Sequence, residues 1–475
     1  MNDELLSAAL LGTARKQPTY EGREARLQGD PATVLLEAAA MQHAFNRGAQ
    51  TPTTATIPPP AEDDTRYLLP AEAIPRIIEL LAIRSPLLPE WFHAAQKYDY
   101  RAPESMTAQL VAQAKALQEH RASILRLAGS RGQWLAAQNP EWADLVKPST
   151  DNPDIWTYGT TNERKRWLTN LRAKDPNEAR NYLQQTWDKE NGNDRATLLA
   201  ILETNLNPQD EPFLEATLDD RRADVRRIAA NFLRQLPDSA YTARMAERAK
   251  RAIKAERTLM RTTVTVEPPT ALDDEDRRDG LTEEGVVRQI VSSAPLSLWN
   301  DMFGSAEKAI RASISEEDRP LIIDAWSEAA AVQRNQEWAD VLLPGSKHAE
   351  HLLPVASQQT RERYVRSLGD ELLTAGPFNP LTTLNHPWSR EVSAHVLKQM
   401  LRRADNAAKL PFRQRDRARH EAQRAIRLAC AHLPIDAYPM ARASADHCPD
   451  PAWAQTFTEI AHSLIQRKTM LEELQ

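Results

Sequence analysis

Residues 207–252 read NPQDEPFLEATLDDRRADVRRIAANFLRQLPDSAYTARMAERAKRA, and this stretch decides the fold. Asp210 and Pro212 suit a helix start, and Phe213, Leu214, Thr217 and Leu218 follow on one side. The run DDRRAD turns the chain into a second helix, with Val225, Ile228, Ala229, Phe232, Leu233 and Leu236 apolar. Their i, i+3, i+4, i+7 spacing is the stripe of an amphipathic helix, not the alternation of a strand. LPDS ends that helix, and the Ser239 hydroxyl is placed to cap a third. A short helix, an Asp-rich turn and D-V-R-R-x-A-A-x-x-L together resemble one HEAT repeat. Such units stack, because each buries a face that it cannot bury alone.

Composition extends this reading to the whole chain. At 475 residues it is too long for one core, so two or three units are expected. Only 14 glycines are present, too few for the many tight turns of an all-β fold. The sole good strand-like string is TTVTV, Thr262 to Val266. The expected class is all-α: an α-solenoid of HEAT-like helical hairpins, arranged as two related lobes if an internal echo is real. That echo pairs 84–95 with 293–304, 140–149 with 336–346, and 160–171 with 358–369. Chance similarity among Leu- and Arg-rich helices is the competing explanation. The expected organisation is an N-terminal hairpin over 1–48, a Pro-rich linker over 49–65 and a lobe over 66–264. An acidic linker, 265–285, then leads to a second lobe over 286–475.

The net charge of −6 gives no bulk reason to expect nucleic acid, and 41% apolar residues argue against disorder. Two cysteines in a chain this long suggest a reducing compartment. Asp3 and Glu4 stand where a signal peptide would be basic, and the apolar run there is too short to span a bilayer. A cytoplasmic location without a membrane partner is expected.

No phosphate loop, dinucleotide fingerprint or serine elbow is present, so no cofactor and no catalytic residue is expected. Cys430, His432, His447 and Cys448 can be read as four soft ligands. Adjacent His447 and Cys448 cannot easily turn to one ion, however, and no metal is expected. Arg244, Arg248, Lys250, Arg251, Lys254, Arg257 and Arg261 fall on what reads as one long helix, opposed only by Glu247 and Glu256. A second basic stretch runs from Arg402 to Arg427. On a concave face such cations track phosphates, as in some HEAT-like DNA glycosylases. The blander reading pairs them with acidic neighbours, chiefly the adjoining linker. Most of the eleven tryptophans recur on apolar helix faces and read as core wedges. Trp156 and Tyr158, in a loop beside Gly159, are the pair expected at the surface. Arg244, Arg248, Arg251, Lys254, Arg257, Trp156 and Tyr158 therefore form the expected interaction surface, with a protein as the expected partner.

Four segments in order carry a family resemblance: LLSAALLGTAR (Leu5 to Arg15), GSRGQWLAAQNPEW (Gly129 to Trp142), the HEAT-like run from Asp210 to Ser239, and HPWSREVSAHVL (His386 to Leu397). They resemble an uncharacterised bacterial family known only as a domain of unknown function. The resemblance implies a helical-repeat protein without assigned activity. It also implies genes encoded beside a MoxR-type AAA+ ATPase, a von Willebrand factor A-domain protein and a SWIM zinc-finger protein.

Overall fold

A computed structural model describes residues 3–20, 24–48, 58–146, 153–258, 262–374 and 376–475. Two compact units emerge, Met1–Ala61 and Glu62–Gln475. The first holds helices Asp3–Leu11 and Pro31–Gly48, whose buried apolar side chains among the described residues are Leu5, Ala8, Val34, Leu35 and Ala38. The first part of the expected Pro-rich linker, residues 49–57, lies outside the described residues.

Helices dominate the second unit, and their starts follow local chemistry. Thr160 and Glu163 close a capping box on helix Thr161–Lys174. Asp175 caps Pro176–Thr186, with proline in the first turn where a missing N–H does no harm. Ser239 accepts from the Thr242 N–H and starts Ala240–Ala252, as its position in the sequence suggests. Gly129 breaks helix Arg121–Gln138 at φ 70°, and a Cβ there would fall 2.5 Å from the Asp64 carboxylate.

The opening stretch forms helices Glu211–Thr217 and Ala223–Leu233, with Val225, Ala229, Phe232 and Leu233 buried. Beneath them sits a polar node. Arg172, fully buried, donates to Asp210 Oδ1 at 3.0 Å and to Oδ2, and to the carbonyls of Thr204, Pro176, Leu202 and Asn205 at 2.6–3.2 Å. Asp210 also accepts from Arg180 at 3.2 Å and from the Asn207 N–H at 3.1 Å. Seven tryptophans, Trp91, Trp167, Trp299, Trp326, Trp338, Trp388 and Trp453, are at most 2% exposed, which makes them the expected wedges.

Three findings amend the sequence reading. The basic helix is not continuous to Arg261: it ends at Ala252, and Ile253–Arg257 (β1) pairs antiparallel with Thr262–Val266 (β2). The β-branched TTVTV string is stable only beside another strand, so it draws the end of the helix into a hairpin. Residues 259–261 lie outside the described residues, Arg261 among them.

Secondly, the acidic segment 265–285 is not a tether between lobes. Leu272 and Leu281 belong to one apolar core that runs from Trp156 to Ala356. Separate cores gather Leu69 to Ala136 and Val365 to Leu464. Thirdly, the final helix, Pro451–Glu472, reaches back: Met470 and Leu474 join the core of 69–136. Stacking that touched only sequence neighbours would not produce that contact.

Candidate interaction surface

The two basic stretches meet different fates. In the first, Arg244 donates to both Asp279 oxygens at 2.7–2.8 Å and to Glu215 at 3.1–3.2 Å. Arg248, 5% exposed, donates to Asp276 at 2.6 Å and Asp279 at 2.7 Å, with Glu275 at 3.4 Å. These hydrogen bonds raise the Arg244 pKa, led by Asp279 and against burial. For Arg248 burial is the largest influence and opposes the charge, yet Asp279 and Asp276 outweigh it and the pKa is raised. Helix Asp274–Arg278 and the Asp279 that follows it thus turn the acidic segment back onto the basic helix and pair with Arg244 and Arg248.

Arg251, Lys254 and Arg257 are exposed and, among the described residues, their side chains hydrogen-bond only to backbone carbonyls, those of Glu247, Lys250 and Met302. Beside Arg248 and Arg251 lies a cleft of about 380 Å³, but Glu267, Asp273 and Asp276 line it too. Mixed charge of this kind is a poor track for phosphates.

The second stretch stays cationic. Arg403, nearly buried, links helix Arg390–Ala407 to helix Phe412–Glu421 by donating to Ala418 O at 3.0 Å and Glu421 at 2.5 Å, and it also pairs with Asp370. Arg417 shares Glu421 at 3.0 Å, and Arg419 pairs with Asp416 at 3.2 Å. Arg424 meets only the Gly376 and Pro377 carbonyls. Lys398, Arg402, Lys409, Arg413 and Arg427 are exposed and have no ion pair or hydrogen bond through the side chain to another described residue.

The expected aromatic pair is split. Residues 154–158 form a short helix rather than a loop, so positions two apart face opposite sides. Trp156 is 4% exposed, its ring 5.7 Å from that of Trp167 and 4.3 Å beneath the Arg164 guanidinium, whereas Tyr158 is 83% exposed. Of the soft-ligand quartet, His447 bonds the Ala443 carbonyl at 2.7 Å and Cys448 lies 3.5 Å from Asp450 O. Burial pushes the Cys430 thiol up. Among the described residues no group of three or more His, Cys, Asp or Glu is arranged to hold a metal ion.

One polar cluster has no counterpart in the sequence reading. Arg467, 1% exposed, grips Glu90 with bonds of 2.7 and 2.8 Å across 377 positions of chain. His386 stands 3.4 Å from Glu90, its ring 5.3 Å from that of His432, which stacks on Trp388. Burial would raise the Glu90 pKa, but bonds to His386 and Arg467 prevail and bring it down to about 2. Burial, with His386 and Arg467 nearby, lowers His432 to about 4. No spacing rule could reveal this cluster, since its members come from four distant segments. Arg76 with Glu473 at 2.9 Å, and the Tyr100 hydroxyl with the Leu474 carbonyl at 3.2 Å, reinforce the same closure.

No helix among the described residues is long and apolar enough to cross a membrane. Neither a curated protein nor a solved structure matches the chain. A family model described as a family of unknown function (DUF5691) matches residues 4–474. Spanning nearly all of the sequence, that match establishes that the chain belongs to the family of unknown function DUF5691.

Proposed function

We propose that this protein is a cytoplasmic, non-catalytic helical-repeat scaffold that holds a protein partner. One observation carries the reading: helices of the long central core pack pairwise on partners near them in the chain. Glu211–Thr217 lies on Ala223–Leu233, Ala240–Ala252 on Val286–Ser293, and Val286–Ser293 on Asp318–Val332. Pairwise stacking of this kind supports a repeat scaffold, which turns its aromatic residues inward and its polar helix faces outward. The gene neighbourhood implied by the family resemblance points to a partner in a MoxR-type AAA+ ATPase and A-domain system. Co-purification of the full chain with those two proteins, with and without ATP, is the test. Absence of association under both conditions would sink the proposal.

The second reading is a nucleic-acid binder, supported by the unpaired cations between Arg402 and Arg427. It predicts duplex binding whose log affinity falls linearly with log salt, and a slope near zero would remove it.

A further inference from the structure

The segment from Arg390 to His432 holds eleven Lys/Arg against four Asp/Glu. The chain as a whole is −6, so with +7 here the remainder carries −13. Segregation on this scale is not explained by packing. Helix Phe412–Glu421 contributes no buried side chain among those described, although it is ten residues long. Its described side chains, Arg413 to Glu421, are charged or polar apart from Ala418, so side-chain bonds contribute to holding it. Arg403 does so, reaching Ala418 O and Glu421 from the preceding helix. Outward cations remain: Lys398 and Arg402 stand one turn apart on helix Arg390–Ala407, as do Arg413 and Arg417 on the next, although Arg417 shares Glu421 with Arg403.

From this we infer that the surface bearing Lys398, Arg402, Lys409, Arg413, Arg417 and Arg427 docks an acidic protein segment. The inference deepens the scaffold reading and rests on it. Cations one helical turn apart, about 5–6 Å, match carboxylates at the same spacing on an acidic helix. A nucleic acid fits less well. Its charge is uniformly negative, about one per 1.7 Å of duplex. Exposed Asp405, on the helix of Lys398 and Arg402, would then meet phosphate, whereas a protein can place a lysine opposite it; Asp416 and Glu421 are already paired with arginines of this chain.

The experiment uses the full chain with two fluorescent probes: a glutamate-rich helical peptide of about 20 residues and a DNA duplex of about 20 base pairs, with anisotropy read at about 50 and 200 mM salt. The wild type is expected to bind the peptide in a salt-sensitive way and more tightly than the duplex. Triple reversal, R413E/R417E/R427E, is expected to weaken peptide binding by about tenfold or more, whereas R277E, an exposed arginine elsewhere, leaves it unchanged. Circular dichroism would check that the triple variant is folded. The inference is overturned by a wild type that ignores the peptide, by a folded triple variant that binds it as well, or by preference for the duplex. Should the triple variant still co-purify with the ATPase or A-domain protein, this surface is wrong and the scaffold stands. Should the wild type fail to co-purify with either while binding the peptide, the scaffold reading fails and the surface stands as a peptide-binding face.

Discussion

Replacing Arg172 by methionine should be among the most damaging single changes in the chain. The guanidinium serves six acceptor contacts at once, two on Asp210 and four on the carbonyls of Thr204, Pro176, Leu202 and Asn205. Methionine keeps the volume but removes every donor. Only the Leu202 carbonyl belongs to a buried residue; with about 1–3 kcal/mol for that acceptor and less for the three that water can partly reach, the carbonyls and the weakened Asp210 together cost about 3–5 kcal/mol. Asp210 keeps Arg180 and the Asn207 N–H, so its own loss is partial. Asp210→Asn breaks the pair from the other side and should cost about 3–5 kcal/mol, nearer 3 because four carbonyl dipoles still face the cation. Arg172→Lys keeps the charge but has at most three donors without the planar fork, so it should fall between wild type and methionine. The assay is denaturant unfolding together with amide exchange across 161–217, since unfolding of a chain with several cores need not be two-state. For a cooperative unit of about 150–250 residues the midpoint temperature should drop by roughly 6–20 °C. A methionine variant within about 1 kcal/mol of wild type, with unchanged exchange in that stretch, would refute the reasoning.

Further expectations follow from the same contacts. The Glu90 carboxyl, held at about 2, contributes stability present above the ordinary glutamate range and lost as pH falls from about 4.5 toward 2. His432, held at about 4, is neutral when folded but charged when unfolded below 6.5, so stability also declines as pH falls from 6.5 to 4. Acid unfolding should therefore lose its upper limb in His432→Leu and its lower limb in Glu90→Gln, and profiles parallel to wild type would contradict the assignment. Asp279→Ala strips the buried anion from Arg244 and Arg248 and should cost about 3–5 kcal/mol, against less than about 0.5 for Glu275→Gln at the exposed end of the network; equal unfolding midpoints would show that the network does not hold the acidic segment. Trp156→Ala should cost about 3–5 kcal/mol in denaturant titration, while Tyr158→Ala should stay within about 0.5, and a reversed order would mean that the short helix faces the other way.

The helices and their ends were legible because they depend on residues a few positions apart. Val225, Ala229, Phe232 and Leu233 are buried where their period places them, and Ser239 caps the helix it precedes. Helical character, tryptophan wedges and the lone strand-like string all follow from such local preferences. What only the tertiary structure decided was the partner of each charge and of each strand. The TTVTV string could be recognised, but not that β1 would be cut from the end of a basic helix to pair with it. Arg244 and Arg248 looked like Arg413 and Arg417 in sequence, yet the first two face Asp279 and the others face outward. Glu90 and Arg467 gave no sign of each other, nor did Arg172 of its carbonyls. A helical face is set by the covalent period of the chain. Whether a cation on that face is neutralised depends on which distant backbone the packing brings within about 3 Å, and no local rule contains that distance.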